Sequence, residues 1–184
     1  MTAPALLIRP STPADLPAIT AIYAEAVLHG TGTFELDPPD LAEMSRRRDD
    51  VLSKGLPWLV AQERGDPAAP VLGYAYANHF RPRLAYRFCV EDSIYLGPQA
   101  KGQGVGTLLL AELIGRCTAA GARQMVAVIG DSANLGSVGV HRRLGFEDAG
   151  ILKSAGWKFD AWRDVVLMQR SLGLGDSQAA KDAT

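Results

Sequence analysis

The chain has 184 residues, 47% of them hydrophobic and 21% charged, with a formal net charge of -1. That supplies one full core, and so even a charge balance, without a basic stripe or aromatic-basic interleaving, leaves no footprint for nucleic acid. No run of 18 apolar residues exists to cross a bilayer, and residues 1–8 lack the basic and apolar parts of a leader, so a cytoplasmic protein without a membrane partner is expected.

Residues 6–9 read as a first strand. Thr12, Pro13 and Asp15 then carry a helix start, as N-cap, first helical position and first-turn acid. The helix runs to about Leu28, with Leu16, Ile19, Ile22, Tyr23, Ala26 and Val27 as its apolar stripe. Residues 37–40 open a second helix with Leu41, Met44, Val51 and Leu52 turned inward and Arg46, Arg47 and Arg48 on its solvated face; Gly55 ends it. Residues 58–62, 71–77 and 88–96 read as an antiparallel meander, the first two strands joined by the turn-rich stretch 64–70. The order then becomes β-α-β-α-β: a helix over about 107–120, a buried strand over 124–129, a short helix over 138–144 ended by Gly145, and a last strand over 164–170. A single domain over residues 1–172 is expected, followed by a flexible polar tail over 173–184. Cys89 and Cys117 each lie in an apolar run and read as reduced core thiols, while His29, His79 and His141 are too scattered for a cluster, so no metal is expected.

The loop between the third strand of the meander and the following helix reads Gly97-Pro98-Gln99-Ala100-Lys101-Gly102-Gln103-Gly104-Val105-Gly106-Thr107. Its alternate glycines let successive backbone N–H groups turn toward one point, and the helix adds its positive dipole end, so a phosphate-bearing ligand is expected. Two familiar loops fail here: G-x-G-x-x-G finds no third glycine, and G-x-x-x-x-G-K-[ST] finds no lysine in place. What remains is [Q/R]-x-x-G-x-G, which resembles the pyrophosphate loop of the acetyl-CoA-dependent N-acetyltransferases of the GNAT family. Lys101 takes the first position when Gly104 and Gly106 are the two glycines; a second frame starts at Gln99 and uses Gly102 and Gly104. The first is preferred because Thr107 and the apolar run behind it then open the helix directly.

Two further stretches resemble one branch of that family, the phosphinothricin and methionine sulfoximine acetyltransferases: Val90-Glu91-x-Ser93-x-Tyr95, and residues 134–146 with Ser137, His141, Gly145 and Phe146. Residues 156–164 match the branch's G-[YV]-K-[FH]-x-x-W-x-D stretch. The resemblance spans residues 8–172. It implies a mixed α/β fold with a mostly antiparallel six- or seven-stranded sheet, splayed between strands four and five and flanked by about four helices. It implies acetyl-CoA as co-substrate, gripped by Lys101, Gly102, Gln103, Gly104, Val105, Gly106 and Thr107, with Ile94, Tyr95, Leu96, Asn134 and Ser137 along the pantetheine arm. The acceptor it implies is a small amino-acid-like amine, held by Phe34, Arg81, Pro82, Arg83, Asp92 and Ser93, and the assembly a homodimer.

Acetyl transfer to an amine needs a neutral nitrogen, a positioned thioester, a stabilised oxyanion and a proton for the departing thiolate. Glu91 is the candidate base, acting directly with a pKa raised by burial or through a water. His141 stands where the broad family often has a tyrosine, and a histidine can also protonate or hydrogen-bond a thiolate near neutral pH. No cysteine sits in a motif suggesting an acyl-enzyme, so direct attack in a ternary complex is expected. The other readings are acetylation of a protein N-terminus or a polyamine, or a non-catalytic acyl-CoA sensor; retention of both Glu91 and His141 favours catalysis.

Overall fold

The computed structural model describes residues 6–66 and 69–180; residues 1–5 of the N-terminal reading, 67–68 of the expected turn and 181–184 of the expected tail lie outside the described residues. The elements run β1 (Leu6–Pro10), α1 (Leu16–His29), α2 (Leu41–Ser53), β2 (Trp58–Glu63), β3 (Gly73–His79), β4 (Cys89–Leu96), α3 (Val105–Ala119), β5 (Gln124–Gly130), α4 (Leu135–Arg143), β6 (Glu147–Lys158) and β7 (Ala161–Ser171). They form one seven-stranded sheet in the order β1-β2-β3-β4-β5-β7-β6. Every pairing is antiparallel except β4 with β5. Among the described residues, no helix is long and apolar enough to cross a membrane.

Strand alternation sorts the side chains. One face of the sheet carries a stacked aromatic layer: Trp58 lies 4.2 Å from Tyr76, Tyr74 lies 5.3 Å from Tyr95, and Tyr23 of α1 closes it edge-on at 4.8 Å from Tyr95. The other face is covered by α3, whose Val105, Leu109, Leu110, Leu113 and Cys117 are all fully buried. Helices α1 and α3 thus turn their apolar stripes inward, as the periodicity predicts.

Four sequence expectations change. Residues Pro13–Asp15 form a tight 3-10 turn before α1, because Asp15 reaches back to accept from the Thr12 N–H at 2.7 Å and from Arg9 at 2.7 and 2.8 Å. Arg48 is not on a solvated face: it is 8% exposed and donates to the Ser11 hydroxyl and carbonyl at 2.8 and 2.7 Å. Leu41 and Leu52, expected inward, are 48% and 39% exposed. Strand β6, the seventh strand the resemblance allows, has no counterpart in the chain-order reading; it is exposed along nearly its whole length and its pairing with β7 is broken by two register shifts, so no alternation marks it in the sequence.

The Asp15 carboxylate is held at about 2, first by its hydrogen bonds from Arg9, against the opposing pull of burial. A carboxylate depressed on folding stabilises fully above its unfolded value and loses that contribution as pH falls toward the folded one. Asp15→Asn should therefore cost on the order of 2 kcal/mol near pH 7. Denaturant midpoints of the two proteins should converge as pH is lowered from about 4 to 2; a gap that stays constant would contradict the pairing.

Candidate active site

Strands β4 and β5 pair from Cys89↔Gln124 to Asp92↔Ala127 and then part, although β4 continues to Leu96 and β5 to Gly130. On its other edge β4 stays paired with β3 throughout, from His79↔Val90 to Gly73↔Leu96. The Gly97 N–H donates to Leu72 and the Phe80 N–H to Cys89, so the backbone groups of Glu91, Ser93 and Tyr95 face β3. Those of Ile94 and Leu96 consequently face the opening toward β5. Tyr95, expected beside them, is committed to β3 through its backbone and to the aromatic layer through its ring.

At the mouth of this opening lies the glycine loop. Gly102 and Gly104 have φ of 78° and 80°, left-handed values that L side chains rarely adopt, and a Cβ at either would meet nothing within 4 Å. These glycines are demanded by backbone conformation, with no protein atom crowding them. Gly104 is the N-cap of α3, and the first helical bond is Leu108 N–H to the Gly104 carbonyl, which leaves the N–H groups of Val105, Gly106 and Thr107 as the free donors of the first turn. Lys101 and Gln103 are exposed on the same loop. Free amides, a dipole end and an adjacent lysine suit an anionic diphosphate.

Glu91 and Asp92 are neighbours on β4 and so point to opposite faces. Glu91 lines a pocket of about 190 Å³ with Tyr76, Asn78, His79 and Ser93. Its pKa is raised first by burial and then by the nearby Asp92 charge, with Arg81 pulling the other way. Asp92, expected to line the substrate site, lies on the α3 side, 6% exposed, where its carboxylate meets His141 Nε2 at 2.9 Å. His141 Nδ1 lies 2.8 Å from the Ser137 carbonyl. Burial by itself would discharge the ring, but the hydrogen bond and charge of Asp92, with the Ser137 carbonyl, outweigh it and raise the His141 pKa.

The loop between α1 and α2 forms another wall. Tyr23 donates to Glu35 at 2.9 Å, Arg47 to Glu35 at 2.7 Å, and the buried Lys158 to the Thr33 carbonyl at 2.8 Å. Phe34 is half-buried against Gly130 and Gly156, positions where a Cβ would strike Thr31 and Phe34 themselves. Asn134 caps α4 by accepting from the Ser137 N–H at 3.2 Å, which leaves its amide NH₂ to donate elsewhere. Arg81, Pro82 and Arg83 are exposed on the segment between β3 and β4, with the Arg81 guanidinium 4.4 Å from the Phe80 ring. Tyr76, Asn78 and His79 were missed in the sequence; the pairing of β3 with β4, which sets Asn78 opposite Glu91, is the signal that finds them.

A parallel strand pair that opens beside an amide-lined anion cradle, with a half-buried carboxylate at the fork, makes a cleft suited to a long phosphate-bearing ligand set beside a base. The sequence model of the Acetyltransferase (GNAT) family matches residues 20–146, and the chain belongs to that family. It is 56% identical over 163 residues to a phosphinothricin N-acetyltransferase of Alcaligenes faecalis, covering 89% of this chain and 81% of that protein. It is 43% identical over 165 residues to the L-methionine sulfoximine/L-methionine sulfone acetyltransferase of Pseudomonas aeruginosa, covering 90% and 94%. The crystal structure of a phosphinothricin acetyltransferase from Sinorhizobium meliloti in complex with AcCoA superposes with a TM-score of 0.91 at 48% identity, covering 97% of this chain and 94% of that one. The expected fold, with its splay between strands four and five and its four helices, is the one observed.

Gly104→Val forces a branched side chain into a left-handed conformation at the cradle, so acetyl-CoA affinity by calorimetry should fall by about tenfold or more. Gly115→Ala, in open space on the same helix, should leave it unchanged. Equal affinities for all three proteins would remove the loop from the binding site.

Proposed function

We propose that this chain transfers the acetyl group of acetyl-CoA to the α-amine of a small amino acid or analogue, of the phosphinothricin, methionine sulfoximine or methionine sulfone type, by direct attack in a ternary complex. The observation that carries this reading is Glu91, half-buried in its pocket one residue before the strands part. The cradle anchors the diphosphate, and the open backbone groups of Ile94 and Leu96 extend toward the fork to pair with pantetheine and to donate to the developing oxyanion. Glu91 then receives the amine proton, directly or through one water. Arg81 and Arg83 supply guanidinium groups suited to an acceptor carboxylate, and Phe34 the aromatic wall beside it.

The relatives' named substrates support the acceptor class. The exposed apolar side chains of the β6–β7 hairpin, among them Trp157, Phe159 and Trp162, support a homodimer through that face, and two free thiols suit a reducing cytoplasm. The deciding assay follows thiol release with phosphinothricin, methionine sulfone, spermidine and a free peptide N-terminus as acceptors. The amino-acid analogues should be turned over and the others left; preference for spermidine or the peptide would overturn the reading.

The base must be ionised, so kcat/KM should fall as pH drops through a value above the ordinary carboxylate range, because burial raises Glu91. Glu91→Gln should lower kcat/KM by roughly 10²- to 10⁴-fold and abolish that acid limb; less than a threefold loss would reduce Glu91 to positioning. Arg81→Ala removes the charge that holds Glu91 down and should move the acid limb to higher pH. It should also penalise carboxylate-bearing acceptors more than simple amines. Equal losses on both would place Arg81 outside the pocket.

A further inference from the structure

The Asp92–His141 pair is a costly thing to build. Both side chains are almost fully shielded, at 2% and 4% exposed, on the face of β4 away from the acceptor pocket. Asp92 is flanked in register by Ala77 on β3 and Ala127 on β5, and the small neighbours leave the slot through which the imidazole reaches the carboxylate. Its second oxygen, Oδ1, is buried without a hydrogen-bond partner among the described residues. A structural brace would gain as much from an apolar pair of similar volume, so an ion pair with an unsatisfied oxygen at the fork of the strands calls for a chemical role.

The two ring nitrogens are not equivalent. Nε2 faces a carboxylate, and its proton is held by a charge. Nδ1 faces a neutral carbonyl, that of Ser137, at 2.8 Å, and lies 3.5 Å from the hydroxyl of the same residue. Asp92 therefore fixes the proton on Nε2, and the Nδ1 proton is the one that can leave, as in any carboxylate–histidine pair that orients its ring through one nitrogen and works through the other. His141 is 3% exposed, whereas Ser137 is half-buried on the first turn of α4, three residues from the Asn134 cap.

We propose that Asp92, His141 and Ser137 form a proton relay to the departing thiolate, with Ser137 meeting the sulfur and Asp92 and His141 as positioning residues behind it. The inference rests on the acetyl-transfer reading above. As the C–S bond breaks, its electron pair goes to sulfur. Sulfur takes the Ser137 hydroxyl proton, Ser137 Oγ takes the His141 Nδ1 proton, and the other proton stays on Nε2, hydrogen-bonded to the Asp92 carboxylate. The ring is left neutral and regains a proton from solvent after the thiol departs. The surroundings add no competing acid. From α3 the nearest titratable group is Cys117, whose thiol burial lifts to about 12 and keeps neutral. β5 contributes no charged side chain, Phe146 closes one side edge-on at 5.0 Å, and Glu91 lies across the strand on the opposite face. Arg142 and Arg143, next along α4, are exposed, the former paired with Asp148.

The test compares wild type with Asp92→Asn, Ser137→Ala and Ser137→Thr, reading the His141 ring titration by NMR in the free enzyme and the pH profile with acetyl-CoA and an amino-acid acceptor. Asparagine keeps the shape and a hydrogen bond to Nε2 but removes the charge. The ring should then titrate at least about one pH unit lower, and the alkaline limb of kcat should move down with it. Asp92→Asn and Ser137→Ala should each lower kcat by roughly tenfold to a hundredfold, with the acetyl-CoA KM changed less than about twofold. Ser137→Thr should recover most of the loss. An unmoved ring titration in Asp92→Asn, or wild-type kcat in Ser137→Ala, would overturn the relay. Failure of the wild-type enzyme to acetylate any amino acid would overturn the function instead, and the ring titration, measured without substrate, would still decide the pair.

Discussion

Everything at this site follows from one break in a hydrogen-bond ladder. Two parallel strands that stayed in register to their ends would satisfy each other's amides and leave nothing for a ligand. Here β4 keeps its partner on the β3 side through Leu96 but loses β5 beyond Asp92, so its outer edge carries unpaired donors and acceptors within an otherwise complete sheet. An edge of that kind is normally a liability. It becomes useful because its backbone is held rigid by the other neighbour and because the loop that follows it turns directly into the N-terminus of α3, setting a second group of free amides a few residues away. One strand and its exit loop thereby present two groups of free backbone amides, at Ile94 and Leu96 and at the start of α3.

The same strand separates the chemistry into two compartments. Alternation sends Glu91 to the pocket it shares with Tyr76, Asn78, His79 and Ser93, and Asp92 to the α3 side, so the proposed base and the Asp92–His141 pair lie back to back across a single strand. They are not independent: the Asp92 charge is one of the influences that raise Glu91. In a shielded setting such charges act over longer distances than in water, and a proton gained by His141, beside Asp92, offsets part of its field. The protonation of His141 on one face and the basicity of Glu91 on the other are therefore linked through Asp92.

The sequence was readable where local and tertiary forces agree. Apolar periodicity and caps located α1 to α3 and the meander within a few residues, and the glycine loop could be read because left-handed backbone has a residue signature at Gly102 and Gly104. It was not readable where long-range contacts override local preference. Arg48 sits among three successive arginines and looks solvated, yet Ser11, 37 positions earlier, holds it inside. Strand β6 is nearly all exposed and takes a left-handed turn at Ser154, whose N–H is held by Asp164 from β7, an interaction no local pattern announces. The destination of Asp92 could have been deduced, since adjacent strand residues cannot share a face; that its partner would be His141, 49 positions away, could not.

The central claim is that the cradle and the open edge of β4 bind one ligand together. An amide NMR titration with acetyl-CoA tests it most directly. The account predicts concerted shifts at Gly104, Val105, Gly106 and Thr107 and at Ile94 and Leu96, with the β3-bonded amides of Ser93 and Tyr95 moving far less. Shifts confined to the glycine loop, or equal along both edges of β4, would contradict it.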